Sequence, residues 1–125
     1  MSDDYAEKLK DPRWRNRRYL ILQRDEWRCL RCGFDGRYPY RHGLYQICES
    51  RRWLEVHHLY YEAGREPWEY PPEALATLCN LCHEHETQKQ RVGPGVPDDF
   101  DLGAAVKESI DKLIAKAAEE QRRRY

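Results

Sequence analysis

The stretch TLCNLCHEHE, residues 77–86, sets Cys79 and Cys82 in a Cys-x-x-Cys spacing and follows them at once with His83. CLRC at residues 29–32 carries the same spacing, through Cys29 and Cys32. Two such turns supply four thiolates, the donor set of a tetrahedral structural Zn²⁺. Gly33 follows the first pair and Asn80 lies inside the second, residue types that suit tight turns, so the sulfurs of each pair converge. The alternatives for these thiols are simple burial or a redox pair. Cys48, the fifth cysteine, has no Cys-x-x-Cys partner and reads as a small hydrophobe.

Outward from the cysteines, the chain is short. Its 125 residues and 15.1 kDa suit one domain with a small core. Nine Tyr and four Trp supply much of the apolar content, so burial leans on rings with polar tips, and a core of this size wants a staple. No apolar run approaches the roughly 18 residues of a membrane span, and the acidic start Met1-Ser2-Asp3-Asp4 is unlike a signal sequence. The expectation is a cytoplasmic protein with no membrane partner.

The formal charge is zero, from 22 Lys+Arg against 22 Asp+Glu, but it is segregated. Residues 1–7 carry a net −3, residues 8–52 a net +8 and residues 53–125 a net −5. Such a distribution makes either a phosphate-facing surface without a high pI or a solvated helix face.

Residues 1–10 read as a polar tail. Asp11-Pro12 is an N-cap followed by a first-turn proline, which predicts a helix from there to about Trp27. Its stripe is Trp14, Arg18, Ile21, Leu22 and Asp25, beside Arg13, Arg15, Arg17 and Arg24. Residues 33–50 predict loops with one short strand. Residues 53–57 (WLEVH) alternate as a half-buried strand does and deliver His57 and His58 at its end. Residues 60–72 predict a loop with a second strand, residues 73–78 lead into the second cysteine pair, and residues 82–91 predict a helix carrying His83. After a Gly/Pro break at 93–97, residues 98–125 form an amphipathic helix through Leu102, Val106, Ile110, Leu113, Ile114 and Ala117. That helix either packs back on the domain or pairs with another chain, as a protein partner or homo-oligomer contact. The expected division is a tail (1–10), a zinc domain (11–92) and a linker with the C-terminal helix (93–125).

The order CLRC, LEVHHLYY (54–61), GREPWEYP (64–71) and TLCNLCHEHE resembles the HNH endonuclease family, and in particular small HNH-like proteins of bacteria and their phages. The resemblance covers roughly residues 12–90. It implies a small α+β, ββα-metal (HNH) fold stapled by a four-cysteine zinc site, with an N-terminal helix and a C-terminal amphipathic helix. It further implies hydrolysis of DNA phosphodiester bonds with His58 as general base. His57 and His83 would be ligands of a catalytic Mg²⁺ or another divalent cation. Arg13, Arg15, Arg17, Arg18, Arg51 and Arg52 are the candidate phosphate contacts. Adjacent strand residues face opposite ways, so His57 and His58 serve one site only if the strand ends or bends there. The asparagine that orients the base in the family falls here on Ala74, which leaves Glu66, Glu69 and nearby tyrosines as candidate orienters. Thr87 stands four residues after His83, where relatives sometimes carry a third ligand. Ala74 keeps open a zinc-stapled nucleic-acid-binding module without catalysis, and the near-zero net charge keeps open a protein-interaction component whose C-terminal helix docks into a larger complex.

Overall fold

The computed structural model describes residues 7–37, 52–92 and 100–124. Cys48, Arg51, residues 38–50 of the stretch expected to hold loops and one short strand, and the 93–97 break lie outside them.

Helix α1 runs Pro12–Arg24, opened by the Asp11 carboxylate accepting from Arg13 N at 2.8 Å. It stops three residues short of the expected end. Glu26 and Trp27 take left-handed backbone angles (φ 57 and 58), which terminate the helix as a glycine would. Asp25 at the C-cap turns inward: its carboxylate holds Arg24 at 2.8 and 2.9 Å and accepts from Thr77 N at 3.0 Å.

Strands β1 (Leu54–His58) and β2 (Leu75–Cys79) form an antiparallel two-stranded sheet, with Leu54 opposite Cys79 and His58 opposite Leu75. The second strand is therefore not in residues 60–72. Prolines at 67, 71 and 72 break that stretch into two 3-10 turns, Pro67–Glu69 and Pro72–Ala74. The fully buried run Leu75–Cys79 lacks the alternation that marks a half-exposed strand, so its sequence does not read as one. Helix α2 (Asn80–Val92) starts two residues earlier than expected, inside the second cysteine turn, and α3 spans Leu102–Arg124. Among the described residues the chain is a small α+β structure of three helices and one sheet.

The sheet separates two cores. On one face Val56 and Leu75 meet Trp14, Ile21 and Leu22 of α1, together with Tyr70 and Ala74. On the other, Ala76 and Leu78 meet Leu102 and Val106 of α3, next to Cys29 and Cys79. Each fully buried aliphatic side chain contributes on the order of 1.5–3 kcal/mol. The first turns of α3 thus belong to the domain's own core, and Ser109 Oγ adds a 2.6 Å bond to Asp25. Beyond residue 110 the helix is exposed, Leu113 and Ile114 included. The described end of the expected tail is docked as well: Leu9 packs on the first core, and Lys8 pairs with Glu66 at 2.9 Å. No described helix is long and apolar enough to cross a membrane.

Candidate functional site

The four cysteines come together from elements far apart in sequence. Cys29 and Cys32 flank a turn closed by Gly33 N donating to Cys29 O (3.0 Å), with Gly33 at φ +80, where a side chain would be strained. Cys79 ends β2 and Cys82 lies in the first turn of α2. All four Sγ atoms lie within 4.8 Å of one another, and Cys32 Sγ is 3.8 Å from Cys79 Sγ. Thiolates each about 2.3 Å from a tetrahedral zinc lie about 3.8 Å apart, so the donor set fits that ion. In each pair the second cysteine's backbone N–H points at the first sulfur, Cys32 N to Cys29 Sγ and Cys82 N to Cys79 Sγ, both at 3.4 Å. Burial pushes the Cys32 and Cys82 thiols up, and bonding among neighbouring sulfurs adds to it. A cation at the centre is what would let all four ionise together. Asn80 braces the second turn, its side chain accepting from Trp53 N at 3.0 Å.

Directly beyond Cys82, His83 opens onto a cavity of about 930 Å³. Trp14, Val56 and Leu9 form its apolar wall, and His58, Tyr61, Glu55, Arg18 and Arg91 its polar one. His58 is buried, its ring stacked on Trp14 at 4.9 Å with 19° between planes. Its Nε2 lies 3.1 Å from the Pro67 carbonyl. A carbonyl only accepts, so Nε2 carries the ring hydrogen and Nδ1 is the basic nitrogen. Burial lowers the His58 pKa against the opposing carbonyl contact, which favours the neutral, proton-accepting form.

This arrangement corrects the expectation for the orienting group. Glu66 is engaged by Lys8, and neither Glu66 nor Glu69 bonds His58. The backbone carbonyl of Pro67 and the Trp14 face hold the imidazole, while Tyr61 and Tyr70 surround it at 5.3 and 4.8 Å. Ala74 is buried in the first core; its carbonyl accepts from Leu59 N (2.8 Å).

His57 and His58 do point to opposite faces, because β1 stays paired through His58. His57 faces α2, its ring 4.9 Å from that of His83 in an edge-on arrangement. It does not line the cavity that His58 and His83 share. Burial pulls its pKa down to about 3, with His83 and His58 adding to the effect. The Gln90 amide nitrogen has two hydrogens for three acceptors, the carbonyls of His58 (3.0 Å) and Leu59 (2.9 Å) and His57 Nε2 (3.2 Å). His57 Nδ1 is buried with no hydrogen-bond partner among the described residues. With Nε2 the acceptor, the neutral ring carries its hydrogen on Nδ1, and a buried donor left this way costs about 1–3 kcal/mol. His83 Nδ1 donates to Glu55 Oε2 at 2.7 Å, which leaves Nε2 as the ring nitrogen on the side away from that carboxylate. Among the described residues, only the four cysteines gather three or more metal-ligating side chains closely; His57 and His83 form a pair.

The arginines divide by environment. Arg13 is tied to Asp11 at 3.0 Å and stacks over Trp68 at 4.1 Å. Arg17 is committed to the fold, donating to Tyr70 O at 2.8 Å. Arg52 lies 5.9 Å from the Phe34 ring, and Arg15 is exposed. Arg18 alone of the described candidates lines the cavity, joined there by Arg91 of α2; among the described residues neither has a carboxylate partner. Thr87 also lines the cavity.

Glu55, Gln90, Arg91 and the Pro67 carbonyl escaped sequence reasoning. The first had a signal, since Glu55 and His57 share one face of an alternating strand. The others depend on tertiary placement. Comparison with known protein families, with curated proteins and with solved structures finds no match to this chain.

Proposed function

We propose that this chain is a metal-dependent endonuclease of the HNH type, hydrolysing DNA phosphodiester bonds, with a structural zinc on Cys29, Cys32, Cys79 and Cys82. The observation that carries the reading is His58, a neutral imidazole with its tautomer fixed by Pro67. It is set in the wall of a cavity that also holds His83 and two arginines without a carboxylate partner among the described residues. The order β1, β2, α2 around these histidines supports the same reading.

His58 Nδ1 accepts the proton of the attacking water, and the Trp14 stack keeps the ring from rotating away. Arg18 and Arg91 neutralise the phosphate and orient it in the cavity. Glu55 fixes the His83 tautomer. His83, which lines the cavity, would hold the divalent cation there, with the His57 ring 4.9 Å behind it, and the cation would stabilise charge on the phosphate oxygens. Plasmid nicking across Mg²⁺, Mn²⁺ and Ni²⁺ tests the reading. The expected result is cation-dependent nicking that His58→Ala abolishes while zinc content and fold are retained; nicking unaffected by His58→Ala refutes it.

One observation favours a second role in protein contact: the outer half of α3 exposes Leu113 and Ile114 at 47% and 62%. Light scattering of the full chain would detect a homo-oligomer formed through that face.

A further inference from the structure

The cavity's polar wall includes one side chain that proton transfer and charge neutralisation do not use. Tyr61 lines it, its ring 5.3 Å from His58 and tilted by 35°, yet the residue is 57% exposed. The ring thus stands beside the imidazole on a residue more than half exposed.

The loop that carries it is braced. Tyr70 Oη accepts from Glu62 N at 2.8 Å, Arg65 stacks over the Tyr70 ring at 5.2 Å and pairs with Glu62 at 3.2 Å, and Tyr60 stands edge-on to Tyr70 at 5.6 Å. Tyr61 is therefore presented on a supported loop next to the reacting position rather than on a loose one. Arg18 and Arg91 in the same cavity supply charge for a backbone phosphate.

A planar aromatic surface beside a phosphate-binding charge suits a nucleobase. Within a duplex, the faces of each base are covered by its neighbours. Only an unpaired or extruded base can lie on Tyr61 while its phosphate reaches His58. A cavity of about 930 Å³ is large enough to receive such a nucleotide, within the range of small-molecule pockets.

We infer that the substrate is DNA unpaired at the cut, with a base next to the scissile phosphate stacked on Tyr61. The inference rests on the nuclease reading and narrows its substrate to single strands, loops and flaps. Sequence preference would be weak, because stacking is tolerant of base identity.

The test measures fluorescence anisotropy of the full zinc-loaded chain in cation-free buffer. The probes are a labelled oligodeoxynucleotide of about 16 nucleotides and the same strand in a duplex. The single strand should bind about tenfold tighter than the duplex, Tyr61→Ala should remove most of that advantage and Tyr61→Phe should keep it. Equal or tighter binding of the duplex, or a Tyr61→Ala protein that binds as the parent does, overturns the inference. Plasmid nicking dependent on His58, measured beside it, would leave the nuclease reading standing in that event. A single-strand preference lost in Tyr61→Ala, with no nicking under any cation, would instead remove the nuclease reading and keep the binding site.

Discussion

Introducing the family's asparagine at Ala74 should damage this protein rather than improve it. If the position merely lacked an orienting amide, Ala74→Asn would be expected to tighten His58 and raise the rate several-fold. The structure gives the opposite sign. Ala74 is 1% exposed among Trp14, Ile21, Leu22 and Leu75, and His58 already has the Pro67 carbonyl at 3.1 Å. An amide forced into that core loses its water without a ready partner, at about 1–3 kcal/mol. Its extra atoms overfill the site at about 1–3 kcal/mol more. The expected loss is therefore about 2–6 kcal/mol, a large part of the roughly 5–15 kcal/mol that holds an ordinary domain together. Urea denaturation of zinc-loaded parent and variant measures it, with nicking normalised to the folded fraction. A variant of parental stability that nicks several-fold faster would show that Pro67 does not hold the base and that the core has room for the amide.

Chelating the zinc, or replacing Cys79 with serine, should unfold the chain, because the cluster joins the turn after α1 to the junction of β2 and α2; metal analysis should find one zinc per chain and circular dichroism should lose its helical signal as the metal leaves. The C-terminal helix should divide in two. Leu102→Ala should cost about 2–5 kcal/mol, and truncation after Gly93 should prevent folding, whereas truncation after Asp111 should change the denaturation midpoint little, since the residues removed are exposed.

The cysteine pairs, the first and third helices and the first strand were legible because each rests on local spacing: two residues between sulfurs, three and four along an amphipathic stripe, two along WLEVH; the second helix was legible from a run after Cys82 free of Pro and Gly. Leu75–Cys79 was not legible, since a strand buried on both faces has no alternation to read. Asp25 illustrates a different limit. It falls on the apolar stripe of α1, and its inward position makes sense only once Arg24, Thr77 and Ser109 are gathered around it from three parts of the chain. For the site, the residue types were legible and their partners were not. Nothing in the order of residues says that the carbonyl at position 67 would hold the His58 ring, or that Arg17 would be consumed by Tyr70 while Arg91 came to line the cavity.

Cys82 and His83 are consecutive residues of one helix, so the cysteine cluster and the cavity meet with no linker between them. Each residue added to a helix rotates the rest of it by about 100°. A single insertion after Cys82 would leave the staple intact and swing the imidazole out of the cavity, away from Glu55, whereas the same insertion before Leu102 falls between elements. The anchor therefore fixes an angle as well as a position. Among the described residues, a change in length is therefore costly at the peptide bond where the cysteine cluster and the cavity share a turn.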